Sequence, residues 1–197
     1  MNRKMFERLI TYRRVPGFKV LMRGDVTDSD IRDAVYLDSL VYPKPFRGNF
    51  ETCIEWYNKN PFIYFMIKDE NSNCVVAYAN VMVVTKECYK KIKRGEILDV
   101  EISPHDLVQY GDTNSHFSYF SSIVVHPEYR NTCVFRILIR CILKYFVELA
   151  WDGIQIEKMI VDAVTGEGRR LCKFFGMNKI RKSKHSSNIY EICFPFL

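Results

Sequence analysis

The stretch Ser121-Ser-Ile-Val-Val-His-Pro-Glu-Tyr-Arg130, which runs into the long apolar segment Asn131 to Trp151, decides how this chain is read. Phe117 to Val125 has the apolar run of a buried strand, ended by a proline turn. The segment after it has the length and continuity of a helix over roughly 132–150. A strand that turns sharply into a helix aims free backbone N–H groups at one spot, together with the positive end of the helix dipole. Such a junction suits a phosphate.

Downstream, Lys158–Ala163 is a second buried strand, and Gly166 to Phe175 is a helix with Gly176 at its C′ position. Asn178–Lys184 and Asn188–Phe194 make a terminal strand pair, stopped by Pro195. Upstream, Phe62 to Ile67 and Val75 to Val84 bracket the polar turn 69–73 as a hairpin. Residues 86–114 are a charged, mixed insert with a short helix at Lys86–Lys93. Before them come a strand at Phe18–Arg23 and a helix over Ile31–Leu40 with N-cap choices at 27–30. Tyr42-Pro-Lys-Pro45 ends that helix, and Asn49 caps another over Phe50–Asn58. In the 132–150 helix, Arg136, Arg140, Lys144 and Glu148 recur every four residues as one narrow polar stripe. The rest of that helix is expected to be covered by a sheet. This order predicts an α/β (α+β) class: a mixed, mostly antiparallel sheet with helices on both faces.

The 197 residues fit one domain, with 1–16 a candidate N-terminal extension. Five basic side chains in the first 14 residues suit a solvated basic helix, with a transit peptide as the alternative. Hydrophobic residues make up 48% of the chain and charged residues 26%, an ordinary globular balance. The net charge of +6 fits an anionic ligand and is too small and scattered to argue for nucleic acid. Seven cysteines contain no C-x-x-C pair, so neither a metal site nor a disulfide framework is indicated. A reduced, cytoplasmic protein is expected. No uncharged run reaches the length of about 18 residues that a membrane helix needs.

Val125-His-Pro-Glu-Tyr-Arg130 with Leu138, and Asp162-Ala-Val followed by Leu171-Cys-Lys-Phe-Phe-Gly-Met177, resemble the GNAT superfamily of N-acetyltransferases. These motifs cover about residues 115–180, and the element order upstream agrees. The resemblance implies a splay between two parallel central strands, Phe117–Val125 and Lys158–Ala163. It implies acetyl-CoA as cosubstrate, its pantetheine arm paired with the strand edge at Ile123, Val124 and Val125. Its pyrophosphate would sit on Arg130, Asn131, Thr132, Cys133, Val134 and Phe135. The activity implied is transfer of an acetyl group to a primary amine, small or peptidic, by direct attack, in a protein that often forms homodimers. Where the family carries x-x-Gly-x-Gly/Ala after the arginine, this chain has Cys133 and Phe135. Two other readings therefore stay open: a GNAT-like binding scaffold without catalysis, and an acyltransferase that uses another acyl thioester.

Five side chains are candidates for proton transfer. Cys172 stands four residues before Gly176, where many family members carry a tyrosine acid, and is otherwise a core cysteine. Tyr190 on the last strand is an alternative acid or a core residue. For the base, strand-like alternation in Ile97–Ile102 would place Glu101 and Asp99 on one face. His116 precedes the central strand with a suitable unperturbed pKa. Each of these is otherwise a solvated surface group.

Overall fold

Strands β1 (Phe18–Met22), β2 (Tyr64–Asp69), β3 (Val75–Val84), β4 (Ser115–Val125), β5 (Gln155–Ala163), β6 (Asn178–Lys182) and β7 (Asn188–Cys193) form one sheet. Their order is β1-β2-β3-β4-β5-β7-β6. They come from a computed structural model that describes residues 15–110 and 115–194. The extension expected at 1–16 therefore lies almost wholly outside the described residues. Among the described residues only β4 and β5 pair in parallel, and the other pairings are antiparallel. The mixed, mostly antiparallel sheet is as expected.

Helices α1 (Asp28–Val41), α2 (Phe50–Lys59) and α3 (Lys86–Arg94) cover one face. Their Ile31, Leu37, Trp56 and Ile92 pack on Met66, Tyr78, Tyr119 and Ile160. Helices α4 (Val134–Trp151) and α5 (Gly166–Phe174) cover the other. Val134, Leu138, Cys141 and Tyr145 of α4 pack on Phe65, Ile67, Ala79 and Val81. Strand β3 lies between these two layers, and all ten of its residues are buried. That explains its apolar run, interrupted only by Asn80, in an antiparallel setting.

The caps read from the sequence mostly operate. Thr27 and Asp30 form a reciprocal capping box on α1, and Asn49 Oδ1 accepts from the Thr52 N–H at 2.8 Å. Asp30 is buried and takes a 2.7 Å hydrogen bond from Lys68 Nζ. α3 stops at Gly95, whose φ of 69° is left-handed and where a Cβ would press on the Ser183 backbone at 3.2 Å. The end of α5 also follows the pattern: Gly176 has φ 69°, and the Met177 N–H reaches back to Cys172 O at 3.0 Å.

Three local differences appear. β5 begins at Gln155, three residues before the predicted start. α4 begins at Val134, two residues after the predicted start; its N-cap Cys133 makes no side-chain bond, and Thr132 closes the preceding turn by donating to Tyr129 O at 2.7 Å. Residues 97–102 do not alternate as a strand. They coil into a 3-10 turn at Asp99–Glu101, held by the Leu98 N–H donating to Glu101 Oε2 at 2.7 Å. That turn sends the two carboxylates in different directions.

The feature that builds the site is a β-bulge. β4 pairs with β3 along its length, yet Val81 faces Phe120 while Asn80 faces Ser122. Ser121 is the extra residue, and such an insertion bends and twists its strand. β4 pairs with β5 only as far as Phe120↔Val161. Beyond that point β4 pairs with β3 alone, and Asp162 and Ala163 pair only with β7. This is the splay between the parallel central strands.

Candidate functional site

The bulge leaves a strip of backbone with no strand beside it. The His126 N–H donates to Val76 O at 2.8 Å. Antiparallel alternation then turns the N–H and C=O of Val124 toward β3, and those of Ile123 and Val125 the other way, into the slot. Two side chains meet these outward carbonyls. Tyr42 Oη donates to Ile123 O at 3.4 Å, and Arg130 Nε lies 3.5 Å from Val125 O. The N–H groups of Ile123 and Val125 face the same slot. Backbone donors enclosed this way demand a partner.

On the α1 side, the slot is lined by Tyr42, Phe46, Asp99, Ser121, Ser122 and Asp162 and holds a space of about 40 Å³. Asp38, on the buried face of α1, accepts from Tyr78 Oη, from Ser122 Oγ at 3.5 Å and from the Gly48 N–H at 3.3 Å. Burial outweighs these bonds and pushes its carboxyl up to about 6. Asp99 accepts from Ser121 Oγ at 3.1 Å and from the Val100 N–H at 3.0 Å. Withdrawal from water, reinforced by the Asp38 and Asp162 charges, pushes it up to about 7. Burial also raises Asp162. Tyr42 is pushed up to about 12, mainly by burial. Carboxyls held this close to neutrality in a cleft are the groups that exchange protons near physiological pH.

At the mouth of the slot stands the start of α4. The Ile137 N–H is the first to reach a helical carbonyl, that of Cys133, at 3.0 Å. The Val134 N–H meets Thr132 Oγ1 at 3.3 Å, and those of Phe135 and Arg136 point out of the helix end. Arg130, Asn131 and Thr132 are exposed around them, and Cys133 is half-buried. The Val134 side chain is fully buried in the α4 core, so only its backbone can serve a ligand. The Val124 side chain is likewise in the core, on the opposite face. Phe135 is half-buried and belongs to none of the core clusters among the described residues.

Of the five predicted proton-transfer residues, Asp99 lines the slot and the other four fall elsewhere. Cys172 and Tyr190 sit together in a small core with Ala163, 3% and 2% exposed. Burial pushes the Cys172 thiol up to about 11. Glu101 is exposed and committed to the Leu98 N–H, since the 3-10 turn points Asp99, not Glu101, at the slot. His116 pairs with Ile156 at the end of β4 remote from the bulge, its ring edge-on to Tyr110 at 5.4 Å. The slot instead gathers Tyr42, Asp99 and Asp162, with the buried Asp38 behind Ser122. One signal for Asp38 was present: with Ile31, Ala34 and Val35 it keeps helical spacing, so a carboxylate lies within the apolar stripe of α1. Tyr42 carried no comparable signal.

No protein-family model matches the chain, and no curated protein matches its sequence. Solved structures match its fold. The loading GNATL domain of CurA from Lyngbya majuscula is 12% identical, with 89% of this chain and 97% of that one covered at a TM-score of 0.61. NAA60 of Arabidopsis thaliana in complex with acetyl-CoA is 14% identical, covering 89% and 99% at 0.58. Arabidopsis thaliana Naa50 in complex with the bisubstrate analogue CoA-Ac-MVNAL is 10% identical, covering 90% and 99% at 0.58. Such identities speak to architecture alone, and the architecture this chain adopts is that of the GNAT N-acetyltransferases.

Proposed function

We propose that this chain is an acetyl-CoA-dependent N-acetyltransferase acting on an unhindered primary amine. The observation that carries the reading is the outward-facing backbone of Ile123 and Val125, an edge that an amide-bearing pantetheine arm can pair with as a strand would. Structures of the same fold hold acetyl-CoA or a CoA-linked analogue. The donor set at the mouth fits a pyrophosphate: the free N–H groups of Phe135 and Arg136, and the exposed Arg130 guanidinium.

A bound acyl thioester supplies an activated carbonyl and a thiolate leaving group. The chain supplies orientation, charge and a proton acceptor. The Ile123 N–H is aimed into the slot, where it can donate to the acyl oxygen as negative charge develops there. Asp38, Asp99 and Asp162 make the α1 side of the slot acidic, which draws an ammonium group. Asp99, held at about 7, is suited to take the amine's proton as the N–C bond forms and the C–S bond breaks. Tyr42 keeps its proton throughout that range and serves as a hydrogen-bond donor. A space of about 40 Å³ admits little more than an amino group on a slim chain.

A second reading, a scaffold without turnover, is favoured by Phe135 standing where the resemblance expects glycine or alanine. Calorimetry with acetyl-CoA, followed by thiol release with a panel of amines, separates the two. Binding with amine-dependent thiol release is expected. Binding without release selects the scaffold, and neither heat nor thermal shift overturns both.

A further inference from the structure

Resting on the reading of the slot as an acyl-thioester site, we propose that it also accepts a donor with a long, unbranched acyl chain, housed in a groove between α4 and α5. The sequence predicts that α4 is covered on every side but one stripe. Instead, one apolar flank is open, with Leu143 at 45% exposure. Ile142 and Phe146 of α4 face Leu171 and Phe175 of α5 across a floor made by Met159 and Ile192. The space between them is about 380 Å³, within the range of about 300–1,000 Å³ typical of small-molecule sites.

Two facts say what should fill it. The groove is continuous with the slot: Phe120, Ile123, Val161 and Gly168 line both. It also runs the wrong way to serve the pantetheine arm. A pyrophosphate at the start of α4 would bring that arm to Ile123 from the upper end. The groove continues past Ile123 toward Ala150, Ile154 and Phe194, at the far end of α4. From Val161 down to Gln155 on β5 is about 20 Å of strand, the reach of a long-chain acyl group.

The polarity of the two sides agrees. Carboxylates gather on the α1 side of the splay, and the α4–α5 side is apolar. A fatty acyl thioester at the slot would thus offer its carbonyl to an amine arriving from the acidic side while its tail lies in the dry one. The balance is unchanged: one N–C bond forms, one C–S bond breaks, and the products are a fatty amide and free CoA.

The test is calorimetry on the full chain with CoA, acetyl-CoA, octanoyl-CoA and palmitoyl-CoA, each below its micellar concentration. Affinity is expected to rise with chain length, by up to about fourfold per buried methylene. Val147→Trp and Ala150→Trp, which fill the far half of the groove, should remove the palmitoyl advantage and leave acetyl-CoA binding unchanged. Val147 is half-buried and Ala150 exposed, so the second variant keeps the test valid if the first melts early. Equal affinity for all the thioesters overturns the acyl groove and leaves the slot reading standing. Failure of every CoA species to bind overturns both. Chain-length-independent binding with concentration-dependent dimerisation, abolished by Ala150→Trp, also overturns the proposal and assigns the groove to a second copy.

Discussion

Replacing Asp99 with asparagine tests the site through two independent readouts. Asparagine keeps the shape and can still accept from the Val100 N–H, which lies 3.0 Å from Asp99 Oδ1. Its amide can donate to Ser121 Oγ, reversing the present 3.1 Å bond. Only the titratable charge is lost. The carboxyl is held at about 7 against an ordinary 3.8. Its folded-state value lies above the unfolded one, so its ionisation works against folding. The handicap is absent below about pH 4, grows as pH rises to about 7, and is complete above that. Its full size is at most about 4 kcal/mol. Urea unfolding should therefore show Asp99→Asn more stable than wild type at pH 8, by an amount on that order, and nearly equal at pH 4. Amine-dependent thiol release should fall by about 10²–10⁴, and the acid limb of the wild-type profile, centred near 7, should vanish. No stabilisation at pH 8, or an equal gain at pH 4, would refute the electrostatic account of the slot. An unchanged acid limb would remove Asp99 as the base.

Ile123→Pro removes an N–H that the β3 ladder does not use, so it should fold while losing CoA binding at least tenfold. Val124→Pro removes a ladder bond and should unfold; circular dichroism with calorimetry distinguishes them, and equal damage from both contradicts the assigned backbone directions. Phe46 lines the slot and packs edge-on to His185 at 6.4 Å. Phe46→Ala should lower KM for bulkier amines in a steady-state comparison, with little change in CoA affinity. Cys172→Ala should leave turnover intact and cost about 1 kcal/mol of stability, and a hundredfold rate loss would restore the thiol as an acid. Lys68→Met strands the buried Asp30 carboxylate, which its hydrogen bonds hold below the ordinary range. The loss should be about 3 kcal/mol at pH 7 and should shrink as pH falls and Asp30 protonates, as acid titration of the unfolding midpoint would show.

The fold was largely legible because its signals are local. Thr27, Asn49 and Gly176 act within one helical turn of their positions, and the β2–β3 hairpin closes over a short polar turn. The unpaired edge at Ile123 and Val125 and the turn into α4 lie within one contiguous stretch and were legible there. The setting of the slot's carboxylates was not, because it depends on contacts distant in sequence. Ser121 meets Asp99 across 22 positions, and Ser122 meets Asp38 across 84. Alternation misread 97–102, where capping by Glu101 competes with an extended backbone and prevails. Cys172 was drawn from a family pattern and Tyr190 from its place on the last strand, and packing against Ala163 takes both into the core.

Ser121 is an insertion that bends its strand without changing which core its neighbours enter. Phe120 and Ile123 belong with the α4 core, while Tyr119 and Val124 belong with the α1 core. Deleting Ser121 would preserve every one of those inward and outward assignments. It would also let the two central strands zip together to their ends, leaving the core intact and the cleft gone. The opening between the two layers is thus separable from the fold: one residue holds it, and the rest of the molecule is indifferent to it.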